Sequence, residues 1–311
     1  MTLHSERAPV FILGCPRSGT TFLSSMLALT EFGPPFESQF IVKYFDRLRD
    51  DLDLSDRGRF GRIARGILEE RAVRQWRIDI DVDQLFESLE TKTYPALADA
   101  ICLAMVRSRR PAATAWGDKT PRYTLRWDVL LRLYPESRFI YISRDGRAVA
   151  LSLLRRPWGP GTIVAAARLW RSYIDIKRDL EDRLGSDQIL FVRYEELLLE
   201  AEPQIHRLYE FLDVGISADE VRKLAATAKR DNAFKWRSKM TEADRKLFET
   251  VVAATLENEG YETRYPQDRL PTAAEISSAV RDGAKRGRHL LVQNLVDPIA
   301  IRFFGKEPFN D

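Results

Sequence analysis

The stretch from Val10 to Leu23 limits what this chain can become more than any other. Val10-Phe11-Ile12-Leu13 is a short apolar run bounded by Pro9 and Gly14, the pattern of a buried parallel strand. A turn of Cys15, Pro16, Arg17, Ser18 and Gly19 follows, and Thr20-Thr21-Phe22-Leu23 opens a helix. In such a strand, small-residue loop and helix N-terminus, successive backbone N–H groups converge on one point, and the helix dipole favours negative charge there. The stretch is an anion cradle in form, though an ordinary strand-turn-helix without a ligand has the same outline.

Gly14 and Gly19 occupy the two glycine positions of a nucleoside-triphosphate loop, but the lysine position holds Thr20 and the basic residue lies earlier, at Arg17. That lysine bridges the β- and γ-phosphates in ATPases. Its absence argues against a triphosphate ligand. Pro-Arg-Ser-Gly-Thr-Thr resembles the 5′-phosphosulfate loop of sulfotransferases that use 3′-phosphoadenosine-5′-phosphosulfate (PAPS). The resemblance implies that Arg17, Ser18, Gly19, Thr20 and Thr21 hold the 5′-phosphate.

A second segment strengthens the resemblance. Arg138-Phe139-Ile140-Tyr141-Ile142-Ser143 reads as a strand, followed by Arg144-Asp145-Gly146-Arg147 and a helix from Ala148 to about Leu154. Arg144 and Ser152 stand eight positions apart, with Arg156 at i, i+4 from Ser152 on the expected helix face. A guanidinium with a hydroxyl makes a clamp for one phosphate. The pattern resembles the 3′-phosphate motif of the same sulfotransferases; a surface arginine and a core serine are the plainer account. Asp118-Lys119-Thr120-Pro121 resembles a segment of the Golgi-type carbohydrate and protein-tyrosine sulfotransferases and their bacterial relatives. By that resemblance Lys119 points at the sulfuryl group or its bridging oxygen, offsetting charge on the leaving phosphate.

An acceptor hydroxyl must lose its proton as it attacks, and a carboxylate can take it. Glu37, on the loop after the first helix, is the candidate base, with Glu31 and Asp118 as rivals. The three histidines lie at the terminus or in late helices, which disfavours a histidine base. The resemblance also implies that Tyr194 lines the nucleotide site, and that Lys235, Trp236 and Arg237 form a basic loop closing over it. Trp236 either stacks on the nucleotide or packs in the fold.

Strands separated by helices predict an α/β fold of P-loop type, with a mostly parallel central sheet and helices on both faces. The expected organisation is a sulfotransferase domain over 1–270 and a C-terminal arm over 271–311. Residues 39–92 form a helical insertion in which Gly58, Gly61 and Gly66 weaken the helices; it is a candidate acceptor lid or a plain solvated layer. Basic Lys285-Arg286-Gly287-Arg288 precedes an apolar run, so 285–304 reads as an arm packed on the domain or a partner, with peripheral membrane contact as the other reading.

The net charge of +3, from 49 basic and 46 acidic residues, gives no reason to expect a nucleic-acid partner. Two cysteines, Cys15 in the loop and Cys102 in a helix, and an N-terminus without a signal-peptide pattern predict a cytoplasmic protein. A homodimer is allowed, but no residue specifies one.

The function expected is sulfuryl transfer from PAPS to a hydroxyl on a glycan, lipid, tyrosine or small molecule, leaving 3′,5′-adenosine bisphosphate (PAP) and needing no metal. Glu37, Arg17 and Lys119 would be catalytic. The alternatives are a small-molecule kinase using ATP and Mg²⁺, which Thr20 speaks against, and a non-catalytic nucleotide-binding protein of the same fold.

Overall fold

A computed structural model describes residues 4–49 and 51–265. In chain order the elements are β1 (Val10–Leu13), α1 (Thr20–Met26), α2 (Phe40–Leu48), α3 (Arg57–Leu68), α4 (Arg71–Arg74), α5 (Val82–Ser88), α6 (Tyr94–Arg109) and β2 (Gly117–Asp118). A 3₁₀ turn over Pro121–Arg126 leads to α7 (Trp127–Leu133), β3 (Arg138–Ser143), α8 (Gly146–Leu153), α9 (Ile163–Arg183) and β4 (Ile189–Arg193). The chain continues through α10 (Tyr194–Leu199), α11 (Ala201–Phe211), α12 (Ala218–Ala225), 3₁₀ turns at Arg230–Asn232 and Lys235–Ser238, and α13 (Glu242–Asn258).

These elements form two compact units. The first runs through Ser143 and adds Ile176–Ala233; the second holds Arg144–Asp175 and the described residues from Phe234 onward.

The first unit contains the sheet, ordered β2-β1-β3-β4 with every pairing parallel. Val10 pairs with Arg138 and Leu13 with Tyr141, while Phe139 pairs with Ile189 and Ser143 with Arg193. Side chains alternate across a strand. Phe11 and Leu13 therefore enter one apolar cluster with Phe139, Tyr141 and residues of α2, α3 and α6. Val10 and Ile12 enter a second, with Leu23, Ile140, Ile142, Leu197 and Ile205. A sheet covered on both faces needs apolar residues at every strand position, which is why β1 reads as an uninterrupted run.

The segment 39–92 is helical as expected, but α3 runs unbroken through Gly58, Gly61 and Gly66. Phe60, Ala64 and Ile67 bury one face of it, and Asp56 caps its start by accepting from the Arg59 N–H at 2.6 Å. A Cβ on Gly66 would lie 2.9 Å from the Tyr44 hydroxyl, so packing rather than weakness explains that glycine. The strand β2 is only two residues long, and Tyr194 is the first residue of α10.

In the second unit, α8, the first part of α9 and α13 enclose Trp170 and Phe248, both fully buried with ring centroids 6.0 Å apart. The α8 helix ends at Leu153, so Arg156 lies in the turn beyond it and the helical face expected to join Ser152 to Arg156 is not formed. Pro157 accounts for the stop, since the residue before a proline is pushed out of helical geometry. The 271–311 arm, including 285–304, lies outside the described residues.

Candidate active site

The loop after β1 is shaped by backbone geometry that few sequences accept. Gly14 has φ +144°, and a Cβ there would sit 2.4 Å from the Ile142 carbonyl oxygen. Its N–H donates to Thr124 Oγ1 at 2.8 Å, fixing the start of the turn. Arg17 holds φ +76° with an exposed side chain, a left-handed conformation that costs a non-glycine residue energy and is common at functional loops. Gly19, at φ +102°, precedes Thr20, the first residue of α1.

The Tyr194 ring lies against Gly19, where a Cβ would come within 2.3 Å of Cδ2. The structure thus brings Tyr194 onto the loop. Ser18 is 1% exposed, and its Oγ has no hydrogen-bond partner among the described residues. A buried hydroxyl without a partner is costly, and an anion in the loop is one group that would satisfy it. Burial pushes the Cys15 thiol well up, which disfavours a thiolate in the turn.

Glu37 and Lys119, far apart in sequence, meet in the first unit. Lys119 Nζ donates to Glu37 Oε1 at 2.6 Å, with the side chains 16% and 39% exposed respectively. The contact follows from backbone pairing: a parallel bridge joins Phe36 to Asp118, so Glu37 and Lys119 are the next residues along the same edge. Phe36 N–H donates to the Gly117 carbonyl at 3.2 Å and Lys119 N–H to the Phe36 carbonyl at 2.7 Å.

The rival carboxylates are occupied. Glu31 pairs with Arg7, which also donates to the Leu212 carbonyl at 2.6 Å. Asp118 is 1% exposed and accepts backbone N–H bonds from Ser38 at 2.8 Å and Thr120 at 2.6 Å. Burial pushes its pKa up to about 6 against those bonds.

In the second unit, Arg144 precedes α8, and its carbonyl accepts from Trp170 Nε1 at 3.0 Å. Asp145 caps α8 by accepting from the Arg147 N–H at 2.9 Å. Ser152, half-buried, lies near the end of that helix. Arg147 is 2% exposed; it donates to both Asp145 oxygens and, at 2.6 Å, to Glu249. Arg245 donates to the same Glu249 oxygen at 2.6 Å, and the Arg264 N–H donates to its other oxygen at 2.7 Å. Trp236 is packed within this group: Arg147 lies 4.0 Å and Arg245 5.3 Å from its ring centroid. The face available for stacking on a nucleotide is thus shared with arginines, while Lys235 and Arg237 beside it are exposed.

Sequence reasoning missed Thr124, Ser38, Tyr123, Arg147 and Glu249. Their partners lie 80 to 110 residues away, and no local spacing marks them. Among the described residues no group of three His, Cys, Asp or Glu side chains is placed to hold a metal ion, and no helix is long and apolar enough to cross a membrane.

A parallel sheet whose strand ends carry a glycine-bounded anion loop, a tyrosine against that loop and an acid–lysine pair defines an α/β protein of P-loop type. The Sulfotransferase family model matches residues 9–218, two thirds of the chain, and the chain belongs to that family. It is 28% identical over 226 residues to protein-tyrosine sulfotransferase 2 of Gallus gallus, covering 69% of this chain and 53% of the relative. It is 25% identical over 218 residues to a protein-tyrosine sulfotransferase of Drosophila melanogaster, covering 68% and 39%. With the omega-hydroxy-beta-dihydromenaquinone-9 sulfotransferase Stf3 of Mycobacterium tuberculosis it shares 25% over 259 residues, covering 67% and 63%. The match therefore spans between two fifths and two thirds of these relatives' lengths. In fold it is similar to the sulfotransferase domain of the Synechococcus PCC 7002 olefin synthase, with TM-score 0.53, 22% identity and coverage of 86% and 98%. The sulfotransferase domain from the curacin biosynthetic pathway gives 0.52, 18%, 83% and 100%.

Proposed function

We propose that this chain transfers the sulfuryl group of PAPS to a hydroxyl acceptor, releasing PAP. The observation that carries the reading is the Glu37–Lys119 contact at 2.6 Å beside the strand end of β2, in a chain of the sulfotransferase family. PAPS, when bound, supplies an activated sulfuryl group with a phosphate leaving group. The loop N–H groups and the Ser18 hydroxyl hold its 5′-phosphate, and Tyr194 offers the base an apolar face. Arg144 and Ser152 hold the 3′-phosphate, with Arg156, Lys235 and Arg237 adding positive charge.

Glu37 accepts the proton of the acceptor hydroxyl as that oxygen attacks, a role open to a carboxylate that is partly exposed and can come within hydrogen-bond reach of the hydroxyl. Lys119 and Arg17 offset charge on the sulfuryl oxygens and on the leaving phosphate. Two of the relatives named above are protein-tyrosine sulfotransferases and one a dihydromenaquinone sulfotransferase, which supports a phenol or alcohol as acceptor here. Both described cysteines are free, which supports a reducing, cytoplasmic setting.

Calorimetry with PAP, 5′-AMP and ATP plus Mg²⁺ tests the reading. PAP is expected to bind about 10- to 100-fold more tightly than 5′-AMP, an advantage lost in Arg144→Ala, because a charged hydrogen-bonded clamp contributes roughly 1.5–3 kcal/mol. Glu37→Gln is expected to bind PAP normally and to lose about 10²- to 10⁴-fold in turnover. Preference for ATP with Mg²⁺, or PAP binding that ignores Arg144, would sink the proposal.

A further inference from the structure

We infer that Asp118 is a positioning residue that holds Glu37 against Lys119, acting through the backbone of both loops and not on the acceptor. The inference rests on the catalytic reading of that pair. One Asp118 oxygen accepts from Ser38 N–H at 2.8 Å, the residue after Glu37; the other accepts from Thr120 N–H at 2.6 Å, the residue after Lys119. A single carboxylate thus bridges the two loops one position beyond each member of the pair.

The sheet edge completes the frame. Phe36, the residue before Glu37, accepts from the Lys119 N–H at 2.7 Å and donates to Gly117 at 3.2 Å. Tyr123 braces the far side: its hydroxyl lies 2.9 Å from Ser38 Oγ and accepts from the Ile41 N–H at 2.9 Å, at the start of α2. Glu37 is therefore fixed on both sides while its own carboxylate remains partly exposed.

An aspartate is required because two converging N–H donors need two acceptor oxygens. Asparagine offers one oxygen and turns an NH₂ toward the second donor. The carboxylate is retained although burial pushes its pKa to about 6 and, among the described residues, no cation pairs with it. That is a cost the fold would avoid if the position served packing alone. With both oxygens engaged and 1% exposure, Asp118 has no lone pair turned to solvent for an acceptor proton.

The test measures the pair directly, without turnover. The full chain is treated with an acetylating N-hydroxysuccinimide ester, and the rate at Lys119 is compared by mass spectrometry with that at Lys43, which pairs with Glu70 at 2.6 Å. Asp118→Asn is expected to speed acetylation of Lys119 about fivefold or more, the equivalent of one lost hydrogen bond, with Lys43 unchanged. Glu37→Gln is expected to speed it too, and Asp118→Asn added to Glu37→Gln to have no further effect.

An unchanged Lys119 rate in folded Asp118→Asn, or an additive rise in the double variant, overturns the inference. If Asp118→Asn does not fold, Tyr123→Phe takes its place, with a rise of about twofold expected and none overturning it. With PAPS, Asp118→Asn is expected to lower kcat about tenfold while KM for PAPS and PAP affinity stay unchanged. A rise at Lys119 in a protein that transfers no sulfuryl group upholds the positioning role and overturns the proposed reaction instead.

Discussion

Asp118 and Glu249 are equally removed from water, at 1% and 0% exposure, and each accepts two backbone N–H bonds, yet their proton affinities move in opposite directions. Burial pushes Asp118 up to about 6, and the Ser38 and Thr120 donors only moderate it. Burial also pushes Glu249 up, but the Arg264 N–H together with the Arg245 and Arg147 guanidinium groups outweighs it and holds the carboxyl below its ordinary value. Full cations beside Glu249 favour its ionised form, and none is among the groups acting on Asp118. Glu249 joins α8 to α13 in the second unit and serves the fold. Asp118 joins two loops in the first and serves the geometry of the site.

Three measurements break or sharpen this contrast. The largest effect is expected from Glu249→Ala, which leaves Arg147 buried without its second anion and should cost about 3–5 kcal/mol in urea denaturation. Next comes the pH dependence of Asp118. Its folded pKa of about 6 exceeds the ordinary carboxylate value, so its contribution is greatest below pH ~4 and is lost as pH rises through 6. The stability of wild type relative to Asp118→Asn should therefore fall by roughly 2–3 kcal/mol between pH 4 and 7 in urea titrations. Glu249 carries the opposite sign, its contribution being lost as pH falls through its depressed pKa. The smallest effect is expected from Glu37→Gln, whose pair is partly exposed: stability should move by less than about 1 kcal/mol in the same assay. A larger loss would make the Glu37–Lys119 contact a structural bridge.

Much of the fold was legible because parallel strands buried on both faces leave short apolar runs between turn residues, as Val10–Leu13 and Arg138–Ser143 do. The loop and Tyr194 were legible through motif, and the structure brings them together at Gly19. Glu37 and Lys119 were named separately, but their contact depends on the Phe36–Asp118 bridge between segments 82 residues apart, which no periodicity reports. Asp118 was read as a rival base because sequence shows a carboxylate and not what surrounds it. The Arg147–Glu249 group was invisible for the same reason: its members are 102 residues apart and gain meaning only once buried together.

The position of β1 has a consequence in time. It lies between β2 and β3 in the sheet, yet both partners are encoded more than a hundred residues later. At roughly 5–20 residues per second of synthesis, β1 waits on the order of 6 to 25 s for β3 to emerge. During that interval its apolar edge is open to other nascent chains. The loop after β1 is made well before its neighbours and cannot take its final form until Ile142 and Tyr194 have arrived, so the yield of folded protein should depend on how well the cell shelters that strand.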